Sequence, residues 1–159
     1  MMLTYQDIKL ASSDLILEVS KRTVLLRTLA HDLVKTYTES LKLANTHFID
    51  SFGKKTPYID TYINEYGKLT PCTLGALALD ENHTLNFVIK TAVNDEPICV
   101  SYVDIPIHIK IEQNHIFINL MENNIPIIAP LNPIEGQFEE VANILKQTII
   151  SLIHAQMPQ

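Results

Sequence analysis

Tyr102, Asp104, His108 and Lys110 are the residues whose types and spacing come nearest to chemistry. They lie within nine residues of an expected strand region, set among Val103, Ile105, Ile107 and Ile109. A hairpin turning at residues 112–115 places Asn119 opposite His108. An aspartate beside a histidine orients the imidazole for base catalysis or completes a metal shell. His83 and His115 fall in turns at hairpin ends and join such a group only if the sheet folds them together. Against this, Ile-Pro-Ile-His-Ile-Lys-Ile is also the pattern of a half-exposed strand with a polar outer face. That reading is the stronger one. No HExxH, no His-x-His pair and no run of spaced carboxylates supports a metal, and no cofactor motif is present.

Nucleophilic catalysis has less support. Ser101 sits between Val100 and Tyr102 without the glycine-flanked elbow of a hydrolase. Cys72 follows Pro71 at an expected strand start and Cys99 is expected mid-strand, so neither has a helix N-terminus to lower its thiol pKa. The four glycines, Gly53, Gly67, Gly75 and Gly136, are isolated and build no phosphate loop. A non-catalytic role is the expectation, with binding residues in place of catalytic ones. Tyr58, Tyr62 and Tyr66 recur every four residues against Ile59 and Ile63 and form a candidate contact face, on an edge strand or an irregular arm. Tyr102, Asp104, His108 and Lys110 complete the candidate set.

Charge narrows the partners. Residues 1–56 carry a net +2 and residues 57–159 a net −8, together the −6 of the whole chain. An acidic body with only two arginines, Arg22 and Arg27, lacks the basic patch that a phosphate backbone requires, so nucleic acid is not expected. Opposite potentials steer encounter, which favours a basic protein surface as partner. No run of roughly eighteen apolar residues marks a membrane span. The first ten residues lack a basic stretch followed by an apolar one, so no signal peptide is expected. Two cysteines without a CxxC suit reduced thiols in a cytoplasmic protein.

The elements that position these residues begin with residues 1–52, which contain neither glycine nor proline. Leu15, Val19, Arg22, Leu26, Leu29, Leu33, Tyr37, Leu41, Ala44 and Phe48 follow steps of three and four, the spacing of one helix face. Ser12 or Ser13 can cap its start, and Thr4 with Asp7 is an earlier, weaker capping box. A helix over 13–47 would be about 50 Å long, against roughly 40 Å for the diameter of a compact chain of this length. It must overhang, pair with another copy or break; Thr36, Thr38 and Ser40 mark a place for a kink or a split. Ile16, Leu17, Val24, Leu25 and Val34 widen the apolar stripe beyond a coiled-coil seam, as suits a helix covered by its own sheet and by a second subunit.

Residues 57–129 read as an antiparallel meander of five or six strands. Residues 73–79 and 84–93 form a predicted hairpin in which Leu74, Ala76 and Ala78 face Ile89, Phe87 and Leu85. In the next predicted hairpin Ile107, Ile109 and Ile111 meet Leu120, Ile118 and Ile116. Inward positions switch from even (Ile98, Val100, Tyr102) to odd (Ile105, Ile107), which predicts a bulge or bend at Asp104-Ile105-Pro106. Asn132, Pro133 and Glu135 form a start signal for a C-terminal helix over 133–155, with Phe138, Val141, Leu145, Ile149 and Leu152 as its buried stripe. The order describes a single α+β domain. Small size, acidity and this order resemble secretion chaperones and immunity-type inhibitors in a general way, through no shared motif. The expected function is that of a protein-binding module, homodimeric through the N-terminal helix. A small ligand-binding protein or enzyme using Asp104 and His108 is the alternative.

Overall fold

The computed structural model describes residues 2–121, 126–131 and 136–158. Helix α1 (Tyr5–Ser40) is a single helix of 36 residues. It starts at the Thr4–Asp7 capping box rather than at Ser12 or Ser13. The Thr4 hydroxyl accepts from the Asp7 N–H, and the Asp7 carboxylate accepts from the Thr4 N–H at 2.7 Å. The Thr4 hydrogen bonds to the Asp7 carboxylate hold its pKa below the usual value. The helix ends at Ser40, with Leu41 as C-cap and Lys42 at φ 51°, short of the expected His47. Phe48 is buried as expected, but from strand β1 (His47–Ile49). At 1.5 Å per residue, α1 is about 54 Å long and outruns the body it packs on. Leu26, Leu29, Ala30, Leu33 and Tyr37 are buried, whereas every residue from 5 to 18 is exposed.

β1 pairs with β2 (Lys55–Pro57) as a small separate sheet. Six strands form the main antiparallel sheet: β3 (Ile59–Glu65), β4 (Lys68–Pro71), β5 (Leu85–Asn94), β6 (Ser101–Glu112), β7 (His115–Leu120) and β8 (Ile127–Pro130), in the order β4-β3-β5-β6-β7-β8. The tyrosine-bearing strand β3 is therefore interior, neither an edge strand nor an irregular arm, and β4 is the edge beside it. Tyr66 and Gly67 make the turn between them, both at positive φ. The β6–β7 hairpin has the expected register, Ile107 with Leu120, His108 with Asn119, Ile109 with Ile118 and Ile111 with Ile116. It closes through Gln113 and Asn114 at φ 50° and 61°, the two positive values that a two-residue turn of matching twist demands.

Two predicted features are corrected. Residues 73–79 form a 3₁₀ turn (Leu74–Ala76) with one bridge, Leu79 to Leu85, instead of a strand. There Leu77 is the buried residue while Ala76 and Ala78 are exposed. The Arg27 Nε donates to the Leu77 carbonyl at 2.7 Å and pins this segment to α1. Second, β6 runs unbroken through Asp104, Ile105 and Pro106. The inward parity changes because the strand begins only at Ser101, leaving Ile98 95% exposed in the preceding connection. The register shift lies opposite, between Ala92 and Asn94 of β5.

Helix α2 (Glu139–Ala155) begins at Glu139, behind Gly136 at φ 82°. The expected start signal at Asn132, Pro133 and Glu135 lies outside the described residues. Its Val141, Ala142, Leu145 and Ile149, with Phe138, join the buried face of α1 over Leu85, Phe87, Ile89, Ile105, Ile107, Ile109, Ile116 and Ile118 in one core cluster. Both helices therefore lie on one sheet face. Burying a Leu or Ile fully is worth about 1.5–3 kcal/mol, so this single layer is the main source of stability. The opposite sheet face carries the polar residues.

Candidate functional site

The outer sheet face holds most of the expected binding residues, and the register shows how they meet. β3, β5 and β6 set Asp60 beside Lys90 and Lys90 beside Asp104 in one row across the strands. The Lys90 ammonium lies 4.9 Å from the Tyr62 ring centre and 4.6 Å from that of Tyr102. It is thus held between two aromatic faces, whose quadrupoles attract a cation. Thr56 and Pro57 of β2 close the group at one corner, leaving a cavity of about 40 Å³. Burial raises the Tyr62 phenol pKa, and the charges of Asp60 and Asp104 raise it further. Burial, then the charge of Asp50, does the same for Tyr102. Both phenols are hydroxyl donors at neutral pH.

Asp104 and His108 share this face but form no dyad. Four steps along the strand separate them, about 13 Å, with Pro106 between. The His108 Nδ1 instead lies 2.6 Å from the Asn86 Oδ1, and the Asn86 Nδ2 donates to the Asp80 Oδ2 at 2.9 Å. An amide oxygen only accepts, so the proton of this contact sits on Nδ1 of His108. The Asp80 Oδ1 accepts from the N–H groups of Asn82 and Thr84. Partial burial opposes ionisation of Asp80. The hydrogen bonds from Thr84, Asn86 and Asn82 and the charge of His108 outweigh it, so its carboxyl stays below the usual range. This chain of three side chains secures the turn at residues 80–84 to the sheet; it presents no nucleophile. Lys110 pairs with Glu112 at 3.2 Å, an exposed bridge. Asn119, opposite His108 as expected, has a buried Oδ1 without a hydrogen-bond partner among the described residues.

The three tyrosines at residues 58–66 do not act together. Tyr58 packs its ring on Phe48, with centroids 4.9 Å apart, and its hydroxyl donates to the Asp95 carboxylate, which raises the phenol pKa. Tyr62 grips Lys90. Tyr66 alone is free, fully exposed in a turn at φ 52°. Lys90, Asn86 and Asp80 were not singled out from sequence, because only the strand register brings them beside Tyr62, Tyr102 and His108. Among the described residues, no three of His, Cys, Asp and Glu gather as a metal would need, and no helix is long and apolar enough to cross a membrane.

Two further features lie elsewhere. A cleft of about 430 Å³ opens between α1 and β3, lined by His31, Val34, His47, Ile59, Thr73 and Leu74 among others. An unpacked apolar surface lies on the overhanging half of α1. Ile8 and Leu15 are 65% and 60% exposed, and with half-buried Val19 they lie seven, eleven or eighteen residues before Leu26. Those steps keep them on the face that is buried from Leu26 onward. Polar residues change sign along the same length, with Asp7, Asp14 and Glu18 toward the tip and Lys21, Arg22 and Arg27 toward the body. No protein-family model, curated protein or solved structure matches the chain.

Proposed function

We propose that this chain is a non-catalytic protein-binding module that pairs with a second copy through the overhanging half of α1. The observation that carries the reading is the continuity of one helix face. It is core at Leu26, Leu29 and Leu33 and solvent-exposed at Ile8 and Leu15. An amphipathic face of that kind is stable when covered. The charge order selects the cover. A second copy laid antiparallel sets its acidic tip against the basic root of the first, and the same contact repeats by two-fold symmetry. Lys9 within the tip reduces this effect without reversing it.

The outer face, with Asp60, Asp104, Tyr62 and Tyr102 around Lys90, and the free ring of Tyr66 then supply the surface for a partner, a basic one given the net −8 of residues 57–159, in the manner of an adaptor, chaperone or inhibitor. Light scattering on the eluting protein tests the pairing. The expected mass is twice 18.0 kDa, falling to 18.0 kDa in Leu15→Asp. A one-chain mass for the unaltered protein at micromolar concentration ends this reading.

A second reading rests on the cleft beside α1, whose size and mixed apolar and imidazole lining suit a small amphipathic ligand. Asp104 and His108 are not among the residues lining that cleft, so it is a binding reading and not an enzymatic one. Thermal-shift measurements with small amphiphiles on the unaltered chain and Leu74→Arg test it; equal shifts for both proteins end it.

A further inference from the structure

The overhang of α1 carries a second apolar line. Leu10, Leu17 and Val24 are 63%, 52% and 61% exposed. They are spaced seven apart, so they form one line along the helix. At roughly 100° per residue, that line lies on the side opposite Ile8, Leu15 and Val19. A helix that is apolar on both sides is covered on both sides in its working state.

We infer that this second line receives an amphipathic helix of a different protein, one helix per copy. The inference rests on the pairing proposed above. If the first face is used in a two-fold contact, a second two-fold contact between copies through the opposite face adds chains without closing, and an open array results. A closed pair instead leaves two equivalent lines facing outward, one on each copy. Charge defines what fits them. Asp7 and Asp14 flank the line toward its tip, and Lys21 flanks it toward the body. The complementary occupant has leucine-like residues at heptad spacing, basic residues over Asp7 and Asp14, and an acidic residue over Lys21. Three exposed apolar side chains make a small contact, so the complex is one of modest affinity.

The test uses the full chain and a fluorescein-labelled synthetic helix of about three heptads with that pattern, beside a control of the same composition with its leucines scrambled. Anisotropy is expected to show saturable binding of the patterned helix at one per chain, and light scattering an assembly of two chains and two peptides. Leu17→Asp is expected to weaken peptide binding about tenfold or more while the two-chain mass persists. Equal binding of the patterned and scrambled peptides, or unchanged affinity in Leu17→Asp, overturns the inference. So does a mass above two chains that Leu17→Asp lowers, which would mean that further copies occupy the line. A one-chain mass for the unaltered protein overturns the pairing itself, a result distinct from a two-chain protein that ignores the peptide.

Discussion

The Tyr37 hydroxyl lies 2.8 Å from the Thr91 Oγ1, joining the last turn of α1 to the second interior strand, β5. Both residues are buried, so each hydroxyl depends on the other. Burial raises the Tyr37 pKa, and the Thr91 hydrogen bond opposes this without reversing it. Tyr37→Phe leaves the Thr91 hydroxyl unpaired and is expected to cost about 1–2 kcal/mol in urea unfolding. Thr91→Val costs a similar amount, and the double variant costs less than the sum by about 1 kcal/mol. Strict additivity would show that the two hydroxyls do not interact.

Tyr66 occupies a left-handed position at φ 52°, followed by Gly67 at φ 81°, in the two-residue turn between β3 and β4. A tyrosine there meets the Cβ crowding that asparagine escapes, and its ring is fully exposed, so it gains no packing in return. Tyr66→Asn creates the favoured Asn-Gly turn and is expected to stabilise the fold by about 1 kcal/mol. The same change is expected to weaken any partner contact that uses the ring. A drop in unfolding midpoint would refute the turn argument.

Local rules made some of this fold legible and failed where tertiary context decides. The β6–β7 register followed from isoleucines at every second position around a short polar turn, because slipping by one residue would expose all of them. The single long helix was legible for residues 13–40, where apolar spacing and the absence of glycine and proline agree. Its end was not. Leu41, Ala44 and Phe48 continue the spacing, yet Lys42 turns the chain and Phe48 is buried from a strand. Residues 73–79 alternate like a strand, but the backbone closes a 3₁₀ turn at Leu74–Ala76, and Arg27 holds the following Leu77 carbonyl against α1. Of the candidate site, Tyr62 and Tyr102 proved adjacent only through Lys90, which no local pattern marks. Asp104 and His108 share a face because β6 runs unbroken where a bulge was expected, at a separation that parity does not report.

Asp80 links stability to pH. Its folded pKa lies below the ordinary carboxylate value of about 3.9. A depressed carboxyl favours the fold when ionised, so its contribution is present above the unfolded value and is lost as pH falls through the folded one. Asp80→Asn removes that dependence and replaces the Oδ2 acceptor of the Asn86 amide by an NH2 donor, while its remaining Oδ1 still suits the N–H groups of Asn82 and Thr84. The variant is expected to be less stable at pH 7 and to lose less further stability between about pH 4 and pH 2 than the unaltered protein. Exposed Asp7 and half-buried Asp50 are depressed too, and keep titrating in the variant. Parallel acid limbs for the two proteins would remove Asp80 from this role.

The overhang predicts a concentration-dependent pattern of hydrogen exchange. Residues 5–18 have helix hydrogen bonds and a capping box, but all of them are exposed, whereas residues 26–37 include the five buried positions of the same helix. A terminal helix of this length without tertiary contacts opens readily, since its stability in water is marginal below about 12–15 residues. Pairing with a second copy covers Ile8, Leu15 and Val19 and couples opening to dissociation. Amides 9–20 are therefore expected to exchange about tenfold or more faster on dilution below the dissociation midpoint, with amides 29–37 unchanged. Leu15→Asp should reproduce the fast pattern at every concentration. Exchange of amides 9–20 that is slow and independent of concentration would mean that the overhang is stable alone, and would remove the main physical reason for pairing.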